Sequence, residues 1–217
     1  MKHRTFFGYT IALSPNSEDP GQEVYSDAYG LEMSYDDEWP VETVFFVPPH
    51  HVSVVTEQTG LRSEGVQVGA QGIPMEGTLR SLAESGATWV LLFANESSAA
   101  AHLYDAVSAG LGVVLVAAEA NGLAELVGQV PEVSSHRLVV ALHPHDPATP
   151  AQAQNFAAAA RTQLAAAGHG DCRVVFTIAP TETAATNYTA QSDIDGLLVL
   201  SCNFESAVEL LREVAEA

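Results

Sequence analysis

The sequence predicts an α/β fold in which eight parallel strands alternate with helices. Short, β-branched apolar segments recur along the chain, and helical segments separate them. Most of these apolar segments are too continuous to have a solvated face, which is typical of a parallel sheet covered by helices. Because the chain has 217 residues, eight such units fit in one domain, and a (βα)8 barrel over residues 1–217 is the expected architecture.

The apolar segments themselves define the predicted strands. A doubly wound open sheet is the alternative arrangement, but no G-x-G-x-x-G sequence follows the first strand, and this favours the barrel. In such a barrel the residues just after each strand gather at one mouth, where function lies. The predicted strands are Arg4–Thr10, Thr43–Val47, Val66–Ala70, Thr88–Phe93, Gly112–Ala117, Leu138–Leu142, Arg173–Ile178 and Gly196–Leu200.

Polar caps and a proline mark the starts of the later helices. Thr149 is placed as an N-cap with Pro150 at the first helical position, and Asn203 lies near the cap of the last helix. Together with the apolar periodicity, these signals predict helices over Ser97–Ser108, Pro150–Ala167, Glu182–Ala190 and Glu205–Ala215.

The segment Gly21–Trp39 leaves two alternatives open. Its acidic, tyrosine-rich sequence is compatible with a helix that has a ragged apolar face or with a long irregular loop. Its aromatic residues are expected to pack beneath a poorly formed first helix, with a lid over the mouth or a partner surface as alternatives. These residues are Tyr25, Tyr29, Tyr35 and Trp39.

Acidic residues dominate the charge of the chain, with 27 Asp and Glu against 8 Lys and Arg and a net charge of −19. Nucleic acid and anionic membranes are therefore excluded as partners, because binding them requires clustered Lys and Arg. A solvated, solubility-promoting surface is the simplest interpretation, and a cation-binding surface is the alternative. The single lysine, Lys2, leaves no internal lysine for a Schiff base.

The cysteines and the hydropathy pattern bear on the compartment. Cys172 and Cys202 have no C-x-x-C spacing and indicate no disulfide framework, so a reducing, cytoplasmic setting is expected. No stretch approaches the ~18 uninterrupted apolar residues of a membrane-spanning helix, and no signal-peptide segment opens the sequence.

Chemically versatile side chains follow several of the predicted strands. A small-molecule ligand at the barrel mouth is therefore expected, with Tyr9, Asn95, Glu119 and Asn203 as binding residues. The full set of strand-end residues is Tyr9, Thr10, Ile11, His50, His51, Gln71, Asn95, Glu96, Glu119, His143, His145, Asp146, Thr177, Ser201, Cys202 and Asn203.

Three interpretations of the mouth histidines remain open. Ordinary hydrogen-bonded or solvent-facing histidines are the simplest, and no cofactor is then expected. A divalent transition metal would suit imidazole and carboxylate ligands, although the spacing matches no established motif. An acid/base pair of His143 with Glu96 is the third. The residues predicted for a metal site are His50, His143, His145 and Asp146.

Three expectations concern other titratable groups. Cys202 ends the last strand, and a buried packing role is favoured over that of a nucleophile activated by His143. If Glu96 is buried without a cation, its pKa is expected to rise. The remaining histidines are expected at the surface, away from the mouth: His3, His102, His136 and His169.

Several segments of the chain, taken in order, resemble the triosephosphate isomerase family. The resemblance covers nearly the whole chain and implies the TIM barrel fold. Each motif alone is weak, and their common order makes the set specific. The motifs are RTFFGYTIAL, VFFVPPHH, VGAQGIPMEG, LAESGATWVLLFANESS, SAGLGVVLVAAE, ATPAQAQ and SDIDGLLVLSCN.

The same resemblance implies that the family's reaction has been lost. The family's electrophilic lysine falls at Ile11, its catalytic histidine at Ala94 and its glutamate base at His143. These are the groups that take the proton or stabilise the enediolate oxygen. The glycine-rich turns that bind phosphate in the family are replaced by Thr177-Ile178-Ala179 and Leu200-Ser201-Cys202-Asn203, whose side chains would block its approach.

Two loops are shortened relative to the family. The third, through which family members interlock as dimers, is too short after Gln71, so a monomer or a dimer of another kind is expected. The sixth, a closing lid in the family, spans only His143 to Thr149 and contains Pro144 and Pro147, so a hinged lid is not expected. The family residues that remain, all compatible with scaffold roles, are Gln71, Glu96, Glu119 and the Asp193-Ile194-Asp195-Gly196 stretch.

The expected function is that of a triosephosphate isomerase-like barrel that is not competent for triosephosphate isomerisation. A small-molecule binding or regulatory pseudoenzyme is the first interpretation, because every catalytic position is lost at once. A new enzyme at the same mouth, either metal-assisted or a His/Glu acid-base lyase, hydrolase or isomerase, is the alternative. A deliberately minimised barrel scaffold is the third, because the loops are shortened together.

Overall fold

Eight parallel strands close into a barrel in the order in which they occur along the chain. The (βα)8 barrel predicted from the sequence is therefore confirmed, in a computed structural model that describes residues 5–11, 19–59, 65–73, 78–130, 137–179 and 185–216. The strands are β1 (Thr5–Ile11), β2 (Val41–Val47), β3 (Val66–Gln71), β4 (Trp89–Phe93), β5 (Gly112–Ala117), β6 (Leu138–Leu142), β7 (Arg173–Ile178) and β8 (Gly196–Cys202).

The observed strand bounds follow the predicted ones closely. β5, β6 and β7 begin and end at the predicted residues, because each is a short, mostly apolar segment whose residues are all buried. The predicted start of the first strand at Arg4 lies outside the described residues. β8 continues past its predicted end to Cys202, with Ser201 in the left-handed region at φ 55°.

Pairing of the first strand with the last closes the barrel, with Phe6 of β1 opposite Gly196 of β8. The two backbones approach so closely there that a Cβ on residue 196 would lie 1.9 Å from the carbonyl oxygen of Phe6. Glycine is therefore required at this position.

Helices cover the outside of the barrel between consecutive strands. Asp19 caps the first helix by accepting a hydrogen bond from the Gln22 N–H, so Gly21–Trp39 is in large part a helix and not an irregular loop. No helix among the described residues is long and apolar enough to cross a membrane. The helices are α1 (Pro20–Ser34), α2 (Val52–Thr59), α3 (Leu79–Glu84), α4 (Ala99–Ser108), α5 (Leu123–Val127), α6 (Pro150–Ala166), α7 (Thr186–Thr189) and α8 (Phe204–Ala215).

The predicted helices differ from the observed ones mainly at their starts. Thr149 and Gln152 form a reciprocal capping box at the start of α6, as the Thr-Pro signal predicts. Of the predicted helix Glu182–Ala190, the described part is helical over Thr186–Thr189, and residues 182–184 lie outside the described residues.

The aromatic residues near α1 do not form the single buried set expected of them. Tyr25 and Tyr29 stack on one another, and the Tyr29 side chain is half exposed. Tyr35 instead packs edge-on against Trp39 after the helix ends.

Alternating side chains of the strands form two apolar layers. One set fills the barrel interior, and the other packs between the strands and the helices. Each fully buried large side chain contributes about 1.5–3 kcal/mol relative to exposure. The interior set is Phe6, Val44, Phe46, Trp89, Leu91, Val114, Val116, Val139, Ala141, Val175 and Leu198.

A polar network lies among the first residues of the strands, at the end of the barrel opposite the mouth. Arg173 is 5% exposed, pairs with Glu42 and lies 5.1 Å from the ring centre of Phe6. Gln67 links the network onward, because it donates to Glu42 at 2.9 Å and accepts from the Trp89 indole N–H at 2.8 Å. These side chains fill the N-terminal end of the barrel. The clefts described below lie at the opposite end, at the mouth.

The Asp193-Ile194-Asp195-Gly196 stretch has the contacts of a scaffold element. Arg161 of α6 pairs with Asp195 at 2.6 Å and donates to the Asp193 carbonyl at 3.1 Å. The Asp195 carboxylate also accepts from the Val174 N–H at 2.7 Å. These bonds fix α6 against the start of β8.

Candidate functional site

A cleft of about 640 Å³ opens at the carboxyl ends of β6, β7 and β8. Its volume lies within the usual range for small-molecule sites, and its position is the functional end of such a barrel. The connection from β6 to α6 forms one wall. The lining residues are His143, Pro144, His145, Asp146, Pro147, Ala148, Thr149, Pro150, Phe176, Thr177, Ile178, Ala179, Tyr188 and Leu200.

A short hydrogen-bond chain fixes the imidazole of His143 in this cleft. The Thr177 hydroxyl donates to the Leu142 carbonyl at 3.0 Å, and it lies 2.8 Å from Nδ1 of His143. Because a hydroxyl has one proton, Thr177 can then only accept from His143. The neutral ring therefore carries its proton on Nδ1, and Nε2 keeps a lone pair.

The far wall of the cleft is an aromatic pair. Phe176 of β7 stacks on Tyr188 of α7, with ring centres 5.7 Å apart. The Tyr188 hydroxyl donates to the Ala148 carbonyl at 2.9 Å, which ties α7 to the connection between β6 and α6. The cleft is thus held by contacts between elements that are distant in sequence.

The turn after β8 is already hydrogen-bonded within the protein. The Ser201 N–H donates to the Thr10 hydroxyl of β1 at 2.7 Å. Ser201 is the non-glycine residue with positive φ among the described residues, and such a conformation costs about 1 kcal/mol or more for an L-residue. Strain of this kind is concentrated at functional turns, but here the amide is taken by the protein's own side chain.

Cys202 follows this turn and is fully buried. Burial raises the pKa of its thiol to about 11, so the thiolate needed for nucleophilic attack is disfavoured. The structure therefore supports the packing role expected for Cys202.

Two of the predicted binding residues line a second cleft. Asn95 and Glu119 face a cleft of about 350 Å³ beside the ends of β4 and β5. The Asn121 side chain donates to the Glu119 carboxylate at 3.2 Å. A third cleft of about 430 Å³ lies between the other two and includes Glu119, His145 and Asp146 in its lining.

The predicted pair of His143 with Glu96 is not brought together. Glu96 lies 4.0 Å from Nδ1 of His102 on α4, whose ring also contacts the Ser98 hydroxyl at 3.1 Å. The Glu96 side chain is 47% exposed, so it is not the buried carboxylate that the expectation assumed. His102, expected away from the mouth, instead lies beside this strand-end residue.

The four residues predicted for a metal site do not converge. The rings of His50 and His51 contact each other in a tilted arrangement with centres 4.1 Å apart, in a short turn after β2. Burial and the neighbouring His50 lower the pKa of His51. Among the residues that the structure describes, no three His, Cys, Asp or Glu side chains form a group able to hold a metal ion.

Two other predicted binding residues have different surroundings from those expected. Tyr9 is fully buried and stacks on Phe45 at 4.9 Å in the layer beneath the helices, so its side chain does not reach the mouth. Burial, followed by the charge of Asp27, raises the pKa of its hydroxyl. Asn203 is the N-cap of α8, and its side-chain oxygen accepts from the Ser206 N–H at 2.9 Å.

His169 and Gln71 serve the packing of the barrel. His169 was expected at the surface but is 1% exposed, with Nε2 3.1 Å from the Val130 carbonyl. Gln71 donates to the Phe46 carbonyl at 2.8 Å. His3 and His136 lie outside the described residues.

Two residues of the candidate site could not be assigned a role from the sequence. Thr177 was placed at the mouth without a role, and its partner became evident only from the register of β6 against β7. Tyr188 was not predicted at the site at all. It lies on a very short helix, whose few residues carry little periodic signal.

The barrel and its mouth place the chain among the proteins of the TIM barrel class. No protein-family model and no curated protein matches its sequence. The resemblance to triosephosphate isomerase therefore remains a prediction from the motifs alone.

Proposed function

We propose that this protein binds a small molecule in the cleft at the ends of β6, β7 and β8 and does not isomerise triose phosphates. It would act as a pseudoenzyme of binding or regulatory type. The hydrogen bond from the Ser201 N–H to the Thr10 hydroxyl carries the proposal. In the isomerase family the corresponding turn is expected to present free amides to a phosphate, and here that donor is occupied.

The charge of the cleft lining also argues against a phosphorylated ligand. Its lining includes Asp146 and contains neither Lys nor Arg. A phosphate dianion would meet a carboxylate with no compensating cation, which costs binding free energy. A neutral or cationic ligand avoids this cost.

The positions of the family's catalytic groups support the loss of isomerase activity. Ile11 is 6% exposed and belongs to the buried apolar layer, so no cation is present where the family has its lysine. Ala94 cannot polarise a carbonyl. His143 offers a proton acceptor, but its ring is committed through Nδ1 to Thr177.

A new enzyme remains the second candidate function, and one observation favours it. The Nε2 lone pair of His143 adjoins a cleft of about 640 Å³, which is the arrangement of a general base. The metal-assisted version has weaker support, because no three described His, Cys, Asp or Glu side chains form a group able to hold a metal ion. Metal analysis of the purified protein, compared with His143→Ala, tests that version directly.

A cavity-filling substitution tests the proposed site. Ala179 is exposed at the rim of the cleft, and Ala118 lines only the two neighbouring clefts. Small-molecule fragments detected by ligand-observed NMR are expected to lose binding in Ala179→Trp and to retain it in Ala118→Trp. Fragment binding that survives Ala179→Trp in a folded variant would contradict the proposal.

A further inference from the structure

We propose that the ligand of the β6, β7 and β8 cleft is a primary amine with an apolar body, held by its ammonium group between His143 and Asp146. This inference rests on the proposed binding function and specifies the chemistry of the same site. It follows from a balance of hydrogen-bond donors and acceptors in the lining.

The side-chain hydroxyl donors of the lining are used within the protein. The Thr177 hydroxyl donates to the Leu142 carbonyl, and the Tyr188 hydroxyl donates to the Ala148 carbonyl. At the start of α6, the Thr149 hydroxyl donates to the Gln152 side-chain oxygen at 2.9 Å. These three hydroxyls therefore offer no donor to a ligand, and the His145 imidazole is the remaining side chain of the lining that can donate.

Two acceptor groups belong to residues that line the cleft. Nε2 of His143 keeps its lone pair because Nδ1 is the protonated nitrogen. The Asp146 carboxylate is exposed and accepts no hydrogen bond from the described residues. An ionised carboxylate is acceptor-only, so both groups require a ligand that donates.

The rest of the cleft requires an apolar ligand body. Phe176, Ile178 and Leu200 form one side, and prolines of the connection between β6 and α6 form the other. With a net charge of −19, the protein attracts cations and repels carboxylates and phosphates.

Three probes that share one carbon skeleton test the proposal. Phenethylamine, phenethyl alcohol and phenylacetate carry a cationic, a neutral and an anionic head group. Titration is followed by NMR at about pH 8, where an ordinary imidazole is neutral. The amine is expected to bind at least about tenfold more tightly than the alcohol, because charge-assisted hydrogen bonds are roughly twice as strong as neutral ones, and phenylacetate is expected to bind least.

Two variants and a matched control locate the ammonium group. Asp146→Asn is expected to weaken amine binding by about threefold to tenfold, the range for an exposed charge pair, and to leave alcohol binding unchanged. His143→Phe is expected to weaken the amine further. Glu209→Gln removes one charge from an exposed position on α8 that lines none of the clefts, so its affinity for the amine should equal that of the unmodified protein.

The outcomes separate this inference from the proposed function. Equal or tighter binding of the alcohol, or an equal loss in Glu209→Gln and Asp146→Asn, overturns the amine inference and leaves the binding site in place. Failure of all three probes to perturb His143 and Thr177, with other fragments failing there as well, overturns both.

Discussion

Thr177 determines the chemistry that His143 can perform. The residue is 8% exposed and its hydroxyl bridges the Leu142 carbonyl and the imidazole, so the direction of the hydroxyl proton sets the tautomer of the ring. A nearly buried hydroxyl with two fixed neighbours has little freedom to reverse that direction. Thr177 is therefore a positioning residue for the mouth.

Substitution of Thr177 by valine is expected to change the tautomer of His143. Valine has nearly the same shape but no acceptor, so the preference for protonated Nδ1 should be lost and the Nε2 form, which ordinary imidazoles favour, should increase. The chemical shifts of the two ring nitrogens in a labelled sample report this ratio at about pH 8. Thr177→Ser keeps the hydroxyl and should keep the tautomer. An unchanged ratio in the valine variant would mean that the hydroxyl does not orient the ring.

At the same scale, single strand-end residues were the least predictable feature of the site. The sequence places Tyr9 and Thr10 together at the end of β1, but neighbouring residues of a strand face opposite sides. Tyr9 consequently packs beneath the helices, whereas Thr10 reaches the Ser201 amide. A register shift between Tyr9 and Ile11 against β8 adds to this difference. No local pattern in the sequence encodes such a shift.

The strands and helices could be predicted from the sequence where neighbouring residues determine their bounds. β5, β6 and β7 are short, mostly apolar segments, and α6 begins with a Thr-Pro cap, so their bounds follow from nearby residues. α1 was ambiguous because its apolar face is interrupted by acidic residues. Its position against α2 and α8 stabilises it, and tertiary packing of this kind overrides a weak local pattern.

The docking of α1 is expected to depend on pH through Asp27. Burial, and then repulsion from Glu23 and Glu205, raise the pKa of Asp27 from 3.8 to about 6. Since the folded pKa exceeds the unfolded one, the favourable contribution is complete below about pH 4 and is lost as the pH rises through about 6. Tyr9 also interacts with Asp27 and remains uncharged in that range, because burial and this carboxylate raise the pKa of its hydroxyl.

Asp27→Asn tests this account of α1. Near pH 7 the free energy of unfolding of the variant is expected to be about 1–2 kcal/mol higher than that of the unmodified protein. This figure is reduced for the partial exposure of the carboxyl. The difference should shrink toward zero below about pH 4. Urea unfolding at several pH values measures it. A constant difference at all pH values would show that the carboxylate charge is not the cause.

At the scale of the whole molecule, the packed polar network and the candidate ligand site lie at opposite ends of the barrel. Arg173, Glu42 and their neighbours fill the N-terminal end, while the described clefts lie at the opposite end. The general fold could be predicted because it depends on the repeated alternation of strands and helices. The arrangement of side chains at the mouth could not be predicted, because it depends on which side chains from distant strands meet.

Assay of the purified protein with the triose phosphate substrate tests the central claim most directly. Circular dichroism first confirms that the sample is folded, and an ordinary triosephosphate isomerase serves as the positive control. Because the Ser201 N–H is already hydrogen-bonded to Thr10, and because Ile11, Ala94 and His143 stand where the family has its lysine, its histidine and its glutamate, no turnover above the uncatalysed rate is expected. Turnover within about a thousandfold of the control, equivalent to ~4 kcal/mol of activation free energy, would contradict the account.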